Sequence, residues 1–490
     1  MIFAKKKLLI TTIIILFSIV FAFFIARIIV FNRIITHLKT SNNNYSLSFD
    51  RYNFVGLNGV CFNKTLITNC RNDTIFFSDT LYLKIRILPI LLGKLRLNTI
   101  VADSVLIKND SFCSQISIQK KDSSKHTDYY VKIDKFFNLI NKYIPKKVKI
   151  NTVVINNKKL LKQLSISNLF YYKKSFKCRV YSDAEKVSNV EGIINHSKKE
   201  YKIFIKAEKN KGSFDFLPIF DGIKYDSIYL NFKFVKTKKV YNIISSISFN
   251  GISIENQKVS DKEVKFKSTS FFINFHIKKE SIEIDSTSVI SINGFSFNPY
   301  VYLEKNKSHL LHLKIIHKEF EAQKLIDALP DELFDKINRM KIEGKLSYSL
   351  NCIIDFDNLD SVYLSSSLEN KGIKIINYGK AFLPILNDTF TYDAYDKDVL
   401  MKKIKISETN PDYVKLENIS HYLKYSVLTS EDGSFYYHKG FNEQAISQAI
   451  GENIRKKRFA RGGSTITMQL VKNVFLNKIK LFQENLKRFF

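Results

Sequence analysis

The chain has 490 residues, of which 45% are hydrophobic and 13% aromatic, so it can bury substantial cores and is not an intrinsically disordered chain. Its formal net charge of +31 predicts an anionic partner or surface, without choosing among nucleic acid, phospholipid headgroups and a phosphorylated substrate. The length suffices for two or three domains.

A long apolar run follows three lysines at the N-terminus. Residues 5–7 are lysine, Leu8–Ala26 contains no charge, and the apolar character continues to Phe31. A helix needs about 20 apolar residues to cross a bilayer. The run is long for a cleavable signal peptide, and no small-x-small site follows it. The sequence therefore predicts a cytoplasmic tail at residues 1–7, an uncleaved transmembrane anchor at 8–31 and the rest of the chain outside the cytoplasm.

From Tyr45 to Ile375, apolar and polar residues alternate over strand lengths, with Asn, Asp, Lys and Gly between the runs. A period of two is typical of strands with one buried face, so this segment predicts a large antiparallel β region. Two segments with helical spacing interrupt it, Lys132–Ile144 and Ala322–Met340, the second of which is broken by Pro330.

The five cysteines show no metal-ligand spacing. Cys61 and Cys70 could face each other across a hairpin and form a disulfide. The favoured interpretation is that all five are small buried apolar residues: Cys61, Cys70, Cys113, Cys178 and Cys352.

Two stretches near the start of the β region carry a first resemblance. They read FVGLNGVCFNKTLI from Phe54 and LKIRILPILLGKLRLNTIVADSVLIKN from Leu83. Behind a membrane anchor, this pattern resembles the N-terminal region of the AsmA-like envelope proteins. The resemblance implies an elongated, curved β domain at residues 32–395. A β-rich extracytoplasmic spacer of another lineage is the alternative.

The pattern changes near residue 396, after which apolar residues recur at helical spacing. Two stripes show the change, one at Ile419, Leu423 and Val427 and the other at Ile446 and Ile450. We therefore predict a separate α-helical unit at residues 396–490.

An acidic pair, Glu431 and Asp432, stands close to His438 in the stretch SEDGSFYYHKGF. A glutamate beside aromatic residues such as Phe435 can have its pKa raised by desolvation, which suits a general acid or base. The alternative is an ordinary helix N-terminus with Ser430 as its cap, where the helix dipole favours acids.

A second stretch, RGGSTITMQLVKN, follows a basic run that begins at Arg455. Its glycines predict a turn into a helix, with backbone N–H groups able to hold an anion. A solvated basic face or a nucleic-acid patch is the alternative. Because the predicted anchor places this segment outside the cytoplasm, a phosphorylated lipid is the favoured anion and no nucleic-acid partner is expected.

Together the two stretches resemble the first two motifs of glycosyltransferase family 51, the peptidoglycan transglycosylases of class A penicillin-binding proteins and of monofunctional enzymes. The first motif, E-D-x-x-F-x-x-H-x-G, is matched at Glu431, Asp432, Phe435, His438 and Gly440. The second, G-x-S-T-x-T-Q-Q, is matched at Gly462, Ser464, Thr465, Thr467 and Gln469, and Met468 replaces its first Gln.

The resemblance implies a lysozyme-like α-helical domain that polymerises lipid II into glycan strands and releases undecaprenyl pyrophosphate. Glu431 would be the general base that takes the proton of the acceptor's 4-hydroxyl, with inversion at the donor's anomeric carbon. The implied donor-site residues are Ser464, Thr465, Gln469, Lys472 and Asn473, with Lys472 as the phosphate contact. The implied supporting residues, which would hold the geometry of the loop, are Asp432, Phe435, His438 and Gly440.

The family resemblance implies no required cofactor, although a divalent cation at the pyrophosphate is a candidate. The implied partners are lipid II, the growing glycan strand, the cytoplasmic membrane and other cell-wall synthesis proteins. The implied location is the bacterial cytoplasmic membrane, with a single pass and the bulk of the chain in the periplasm.

The third motif of the family, R-K-x-x-E, is not matched. Counting on from Lys472 without a gap places it at residues 484–488, which read ENLKR, with both functional charges reversed. Back-translating Leu481–Phe490 and reading it one nucleotide out of frame gives TFSRKFEEIF, which restores the motif in register. We therefore expect a frameshift near residue 480, a truncated domain and no polymerase activity from the chain as written.

Three other functions are weighed against this one. The first is an AsmA-like envelope lipid-binding or scaffold protein without enzymatic activity, which a groove lined continuously with apolar side chains would favour. The second is a lysozyme-like hydrolase, since such folds also use a glutamate. The residues at Thr465, Gln469 and Lys472 favour a pyrophosphate donor over that alternative. A nucleic-acid binder ranks last.

Overall fold

The structure, a computed structural model, describes most of the chain between residues 45 and 474. The described residues are 45–56, 58–69, 71–86, 96–108, 130–131, 133–135, 137–138, 144–156, 163–181, 187–208, 211–213, 222–256, 260, 262–305, 309–334, 337, 339–381, 383–396 and 399–474. The chain divides into two compact units, one formed mainly before residue 195 and the other mainly after it.

In the described part of the first unit, nine strands pair side by side. They are β1 (Tyr45–Ser48), β2 (Arg51–Val55), β3 (Gly59–Asn69), β4 (Thr74–Ile85), β5 (Leu97–Lys108), β6 (Lys147–Asn156), β7 (Leu164–Tyr172), β8 (Ser175–Tyr181) and β9 (Val187–Asn195). Strands β1 and β2 both pair with β3, and β3, β4 and β5 continue antiparallel, as do β6 to β9. Strands β5 and β6 run parallel, with Ile100 opposite Val148.

The first unit is held by two clusters of apolar side chains. Val60 and Phe62 on β3 pack with Phe49, Tyr52 and other rings. The second cluster joins strands across the parallel pair and consists of Ala102, Val105 and Val153. Burial of such side chains contributes about 25 cal/mol per Å² of apolar surface removed from water.

The described strands of the second unit form a large antiparallel sheet, a small sheet and a hairpin. They are β10 (Glu200–Ala207), β11 (Gly212–Ser213), β12 (Ile223–Tyr225), β13 (Ser227–Lys236), β14 (Tyr241–Asn250), β15 (Ser253–Ile254), β16 (Val264–Lys265), β17 (Ser268–Ile277), β18 (Ser281–Ile284), β19 (Val289–Ile292), β20 (Phe295–Glu304), β21 (Leu310–Glu321), β22 (Lys341–Asp355), β23 (Tyr363–Asn377), β24 (Phe390–Asp396) and β25 (Val399–Ile406). Strands β11, β12, β15 and β16 make the small sheet, and β24 pairs with β25.

Opposite faces of the large sheet differ in chemistry. One cross-strand row is apolar through eight strands: Phe234, Ile243, Phe275, Ile284, Val301, Leu313, Cys352 and Leu364. The adjacent row on the other face carries polar side chains at its centre: Asn242, His276, Glu283, Tyr302 and His312. Successive strand residues alternate between faces, so the period-two pattern produces this division.

The described α-helices are α1 (Ala322–Ala328), α2 (Asp331–Phe334), α3 (His421–Asp432), α4 (Glu443–Lys456) and α5 (Ile466–Val474), with short 3₁₀ turns at Leu359–Ser361, Leu383–Asn387 and Leu416–Asn418. The predicted break at Pro330 is confirmed, because α1 ends before it and α2 begins after it. Of the predicted helix Lys132–Ile144, residues 133–135 and 137–138 are described and are helical.

The predicted fold class, a transmembrane helix followed by an antiparallel β domain and a helical domain, is wrong as stated. The described part of the chain is mostly β-sheet, and it contains no helix with the length and apolar character needed to cross a bilayer. Strands β5 and β6 also depart from the antiparallel pattern. Apolar alternation reports which face of a strand is buried and does not report strand direction, so it could not show the parallel pair.

Several sequence predictions fall outside the described residues. The proposed anchor at residues 8–31 and the altered third motif at 484–488 both lie there. So does Cys70, the predicted partner of Cys61. The boundaries of the four predicted domains stay predictions, and the β24–β25 hairpin spans the boundary at residue 396.

Candidate active site

The acidic pair lies at the C-terminal end of α3. Glu431 is exposed, whereas its neighbour Asp432 is buried. The alternative of a helix N-terminus capped by Ser430 is wrong, because Ser430 lies within the helix and its hydroxyl donates to the carbonyl of Val427 at 3.1 Å. The two acids therefore have different roles, one facing solvent and one facing the protein.

Asp432 connects the two sequence motifs through its two carboxylate oxygens. Oδ1 lies 2.9 Å from His438 Nε2, and Oδ2 accepts from the backbone N–H of Ile466, the first residue of α5, at 3.1 Å. The Asp432 side chain is 2% exposed and that of His438 is 10% exposed. A carboxylate is stabilised at a helix N-terminus by the orphan N–H groups and the helix dipole.

The hydrogen bonds of His438 fix its tautomer. The backbone N–H of Gly440 donates to Nδ1 at 3.1 Å, so Nδ1 must be the unprotonated nitrogen. Nε2 then carries the proton and donates it to Asp432. A neutral histidine in this orientation connects the end of α3 to Gly440 in the loop that follows, and its role as a supporting residue stays a prediction.

Thr465 forms a second connection between the motifs. It is 1% exposed, and its hydroxyl donates to the carbonyl of Gly440 at 2.5 Å while accepting from Met468 N at 3.1 Å. Thr465 is therefore the N-cap of α5. Gly440 has φ +101°, a conformation that favours glycine. Because the hydroxyl of Thr465 is engaged inside the protein, its position supports the loop geometry more than direct contact with a substrate.

Glu431 and Gln469 meet across the gap between α3 and α5. Gln469 Nε2 donates to Glu431 Oε2 at 3.1 Å. Oε1 of Glu431 makes no hydrogen bond with the described residues, so it can accept a proton or a ligand hydroxyl. The predicted desolvation of Glu431 by aromatic neighbours is not observed, since Glu431 is exposed, as are Tyr436 and Tyr437.

Two backbone N–H groups at the N-terminus of α5 already have partners within the protein. Ile466 N donates to Asp432 and Met468 N donates to the Thr465 hydroxyl, so side chains of the protein already occupy these two N–H groups. These two donors are therefore not available to an anion, and anion binding by the Gly-Gly-Ser-Thr turn itself stays a prediction. Gly463 packs closely on α4, where a Cβ would lie 2.8 Å from Ile446 Cα.

A polar cleft of about 410 Å³ lies between the two motifs. Its lining includes Glu431, Asp432, Arg461, Ser464 and Thr465. Lys472 and Asn473 are exposed on α5 and do not line this cleft. Lys472 has no carboxylate within 4 Å among the described residues, so its charge is available to an anion.

Two residues that the sequence does not single out hold the segments around the cleft, although they do not line it. Asn453 on α4 is buried and donates to Arg461 O at 2.9 Å, while its Oδ1 accepts from Ala460 N and Arg461 N at 2.7 and 2.9 Å. Glu443 at the start of α4 accepts from Ser366 N of β23 at 2.7 Å. The signal in the sequence is that Asn453 is a polar residue next to the apolar stripe of α4.

Two acids neutralise part of the basic run. Glu452 lies 2.7 Å from Lys456 and 3.8 Å from Arg461, and the hydrogen bond from Lys456 lowers the pKa of Glu452. Arg455 pairs with Asp360 at 2.5 Å. The predicted basic face is therefore only partly free for an anionic ligand.

The described residues contain no group of three His, Cys, Asp or Glu side chains that could hold a metal ion. The described residues therefore do not provide the ligand set of a protein-held cation. The candidate divalent cation at the pyrophosphate stays a prediction.

Comparison with known proteins supports the motif resemblance for the C-terminal segment. Residues 397–490 match the family model described as Transglycosylase. The chain is 39% identical over 83 residues to a biosynthetic peptidoglycan transglycosylase of Dechloromonas aromatica, a match that covers 17% of this chain and 36% of that protein. Proteins of the same name from Laribacter hongkongensis and Nitrosomonas eutropha are 40% identical over 82 residues and 44% over 68 residues, covering 16% and 14% of this chain and 36% and 28% of those proteins.

The chain thus spans about a third of the length of the curated relatives it matches. No solved structure matches it. At the level of the family, these matches identify the C-terminal segment as similar to the peptidoglycan transglycosylases. The AsmA-like resemblance of the β region receives no support from them and stays a prediction.

Proposed function

We propose that the C-terminal segment is the glycosyl-transfer part of a peptidoglycan glycosyltransferase, which extends glycan strands from lipid II and releases undecaprenyl pyrophosphate at the cell envelope. The observation that carries the proposal is the hydrogen bond between Glu431 and Gln469, which joins the two family motifs at one polar cleft. The family match over residues 397–490 supports the same assignment.

Glu431 is the general base of the proposed reaction. Its free Oε1 takes the proton of the acceptor sugar's 4-hydroxyl as that oxygen attacks the donor's anomeric carbon. The bond from the anomeric carbon to the pyrophosphate breaks, its electron pair leaves with the pyrophosphate, and the configuration inverts. Gln469 donates to Oε2 and leaves Oε1 for the acceptor hydroxyl, and Asp432 with His438 keeps the end of α3 in place.

The leaving pyrophosphate needs positive charge where its own charge develops. Lys472 is the proposed contact, because its ammonium is exposed on α5 and is not paired with a carboxylate of the described residues. Asn473 and Ser464 are exposed and can donate further hydrogen bonds. Thr465 acts through Gly440 and the helix cap and is a positioning residue.

Lipid II binding and glycan synthesis test the proposal separately. We expect the full chain to bind lipid II in detergent micelles, and Lys472→Met to weaken binding about tenfold because a charge-assisted hydrogen bond is lost. Glu431→Gln should leave binding unchanged and lower any glycan product and pyrophosphate release by at least about 100-fold. Glu417→Gln, at an exposed glutamate outside the cleft, is the matched control.

Three outcomes would count against these statements. Lipid II binding no stronger than binding to phosphatidylcholine micelles would contradict the proposed function. Glycan product unaffected by Glu431→Gln would contradict the role of the base. Product from the unaltered chain would contradict only the expectation that the chain as written is inactive.

A lipid-handling role for the β region is a second candidate. The apolar row from Phe234 to Leu364 crosses eight strands without a polar side chain. A second apolar row on the same face consists of Leu230, Ile247, Phe271, Ile290 and Phe297. Such a face suits the acyl chains of a membrane lipid, whose transfer from water is favourable in proportion to buried apolar area.

A polar substitution in the apolar row separates the two candidates. Val301→Asp should reduce labelling of the full chain by a photoreactive phospholipid, whereas Glu431→Gln should leave labelling unchanged. Tyr302→Asp, on the adjacent residue and the opposite face, is the control. Equal labelling of all variants would remove the second candidate.

A further inference from the structure

A second cleft lies on the polar face of the large sheet, on strands β20 and β21. It encloses about 630 Å³. Its lining includes Tyr300, His312 and Lys314. In the strand register Tyr300 faces Lys314, and Lys314 faces Asn351, which lies next to the cleft and does not line it. Directly opposed side chains in a sheet lie about 5 Å apart, so these groups can contact one ligand together.

Lys314 gives the cleft an uncompensated positive charge. Its side chain is half-buried, and no carboxylate of the described residues lies within 4 Å of its ammonium. Glu319, the acid that lines the cleft, is already paired with Lys345 at 2.7 Å and Lys371 at 3.5 Å. A half-buried ammonium without a partner is costly, so the site favours an anionic group.

The two other acids near the cleft are also paired. Glu283 lies 3.2 Å from Lys278, and Asp285 lies 2.6 Å from His276. Lys318, which also lines the cleft, has no such partner among the described residues. Lys314 and Lys318 are therefore cations that line the cleft and have no carboxylate within 4 Å among the described residues.

The cleft also offers a ring face and neutral hydrogen-bonding groups. Burial, and then the charge of Glu283, raises the pKa of Tyr300, so its phenol stays protonated at neutral pH and can donate. The ring of Tyr300 packs against that of His312 with centroids 5.3 Å apart. Asn351 Oδ1 accepts from His312 Nε2 at 2.7 Å, which leaves His312 Nδ1 as an acceptor.

We propose that this cleft binds a carboxylate-bearing saccharide. Lys314 pairs with the carboxylate, and the ring of Tyr300 covers the C–H face of the sugar. His312, which is held by its hydrogen bond to Asn351, exchanges hydrogen bonds with the hydroxyl or amide groups of the sugar. A concave site with one charge, one ring and a few placed polar groups suits a small polar ligand. The inference does not depend on the proposed transglycosylase function, since the cleft shares no residue with that site.

Calorimetric titration of the full chain tests the site, with N-acetylmuramic acid as the probe. N-acetylglucosamine is the comparison, because it is the parent sugar without the 3-O-lactyl ether that carries the carboxylate. We expect the acid to bind at least about tenfold more tightly, because only it makes the charge-assisted hydrogen bond with Lys314. Lys314→Met keeps the length of the side chain and should abolish that preference. Lys233→Met removes an equal charge at an exposed position on the same face and should leave it intact.

Tyr300→Phe and Tyr300→Leu separate the hydroxyl from the ring. The first should weaken binding of both sugars moderately, and the second should weaken it further. Far-ultraviolet circular dichroism establishes that each variant keeps its sheet. Equal loss in Lys314→Met and Lys233→Met, or equal affinity for the two sugars, would overturn the proposal. Acetate or inorganic phosphate that binds as tightly as the sugar acid would overturn it in favour of a simple anion site.

Discussion

The helical C-terminal segment and the large sheet before it build their clefts in different ways. In the helical segment, Glu431, Asp432 and Thr465 come from two short motifs that are joined by individual hydrogen bonds. In the sheet, Tyr300 and Lys314 of the cleft and the adjacent Asn351 come from three strands and meet because of strand register. A motif therefore identifies the first cleft, whereas the second is visible only when the register is known.

The two regions should also respond differently to substitution. Each connection between the motifs of the helical segment is made by one side chain, so no other contact compensates when that side chain is replaced. The sheet distributes its stability over ladders of backbone hydrogen bonds and rows of apolar side chains. Substitution of a single polar side chain should therefore cause local unfolding in the helical segment while the sheet stays folded.

The largest expected effect is that of Asp432→Asn. The amide must place an NH₂ group against either Ile466 N–H or His438 Nε2–H, which leaves buried donors unsatisfied. We expect a loss of about 3 kcal/mol in the local stability of α5, since a charge-assisted hydrogen bond is lost and donors are left unpaired. Hydrogen exchange of the amides of Ile466 and Met468 measures this free energy.

Glu431→Gln is the control for that substitution, because the neighbouring acid is exposed and its change should shift the same amides by less than about 0.5 kcal/mol. Amides of β14 and β17 should exchange at unaltered rates in both variants. If Asp432→Asn accelerated exchange in these strands as strongly as in α5, the two regions would not differ as described.

A pair of glycine substitutions gives the next largest effect, with opposite signs. Gly440 has φ +101°, and a Cβ there would meet Thr467 Cγ2 at an ordinary 3.5 Å, so Gly440→Ala is strained by its backbone alone. We expect a loss of about 2 kcal/mol. Gly433 has φ −59°, and a Cβ there would meet Thr429 O at an ordinary 3.6 Å, so Gly433→Ala should stabilise the segment by about 0.5 kcal/mol.

Thermal denaturation monitored by circular dichroism at a helix-sensitive wavelength compares the two variants. A similar change in midpoint for both would show that the conformation at Gly440 carries no cost. It would also weaken the assignment of Thr465 and Gly440 as the second connection between the motifs.

Much of the candidate site could be predicted from the sequence, because its chemistry is local. The motif residues Glu431 and Gln469 do meet, and His438 does contact Asp432. The direction of the helix at the acidic pair could not be predicted, since Ser-Glu-Asp-Gly suits either end of a helix. The hydrogen bonds that Asn453 accepts from the backbone N–H groups of Ala460 and Arg461 could not be predicted either, because they depend on the path of the chain after α4.

In the β region, the sequence predicts which residues form strands but not how the strands pair. Alternation predicted the strands and their two faces, as the rows through Val301 and Tyr302 illustrate. It could not predict the parallel pairing of β5 with β6, or that Lys314 lies between Tyr300 and Asn351. Both depend on long-range pairing, which a period of two does not encode.

The smallest expected effect concerns Asp134, whose carboxylate bonds to residues of the large sheet. Hydrogen bonds from Lys236, at 2.7 Å, and from the buried phenol of Tyr241 lower the pKa of Asp134. A carboxyl group whose pKa is lower in the folded state stabilises the fold at pH values above its pKa in the unfolded state, which is near 4. This stabilisation is lost as the pH falls through the pKa of the folded state. Asp134→Asn should therefore reduce the drop in thermal midpoint between pH 6 and pH 3.

Asp388→Asn is the matched control and should keep the full pH dependence, because Asp388 is exposed and accepts a hydrogen bond from the adjacent Thr389 N. Because the Asp134 side chain is 28% exposed, solvent screens the pair and the change should be small. The location of this effect in the molecule distinguishes it from the effects of the substitutions at Asp432 and Gly440. The effect should appear in the amides of β13 and β14 and leave those of α5 unchanged, because the partners of Asp134 lie on these two strands.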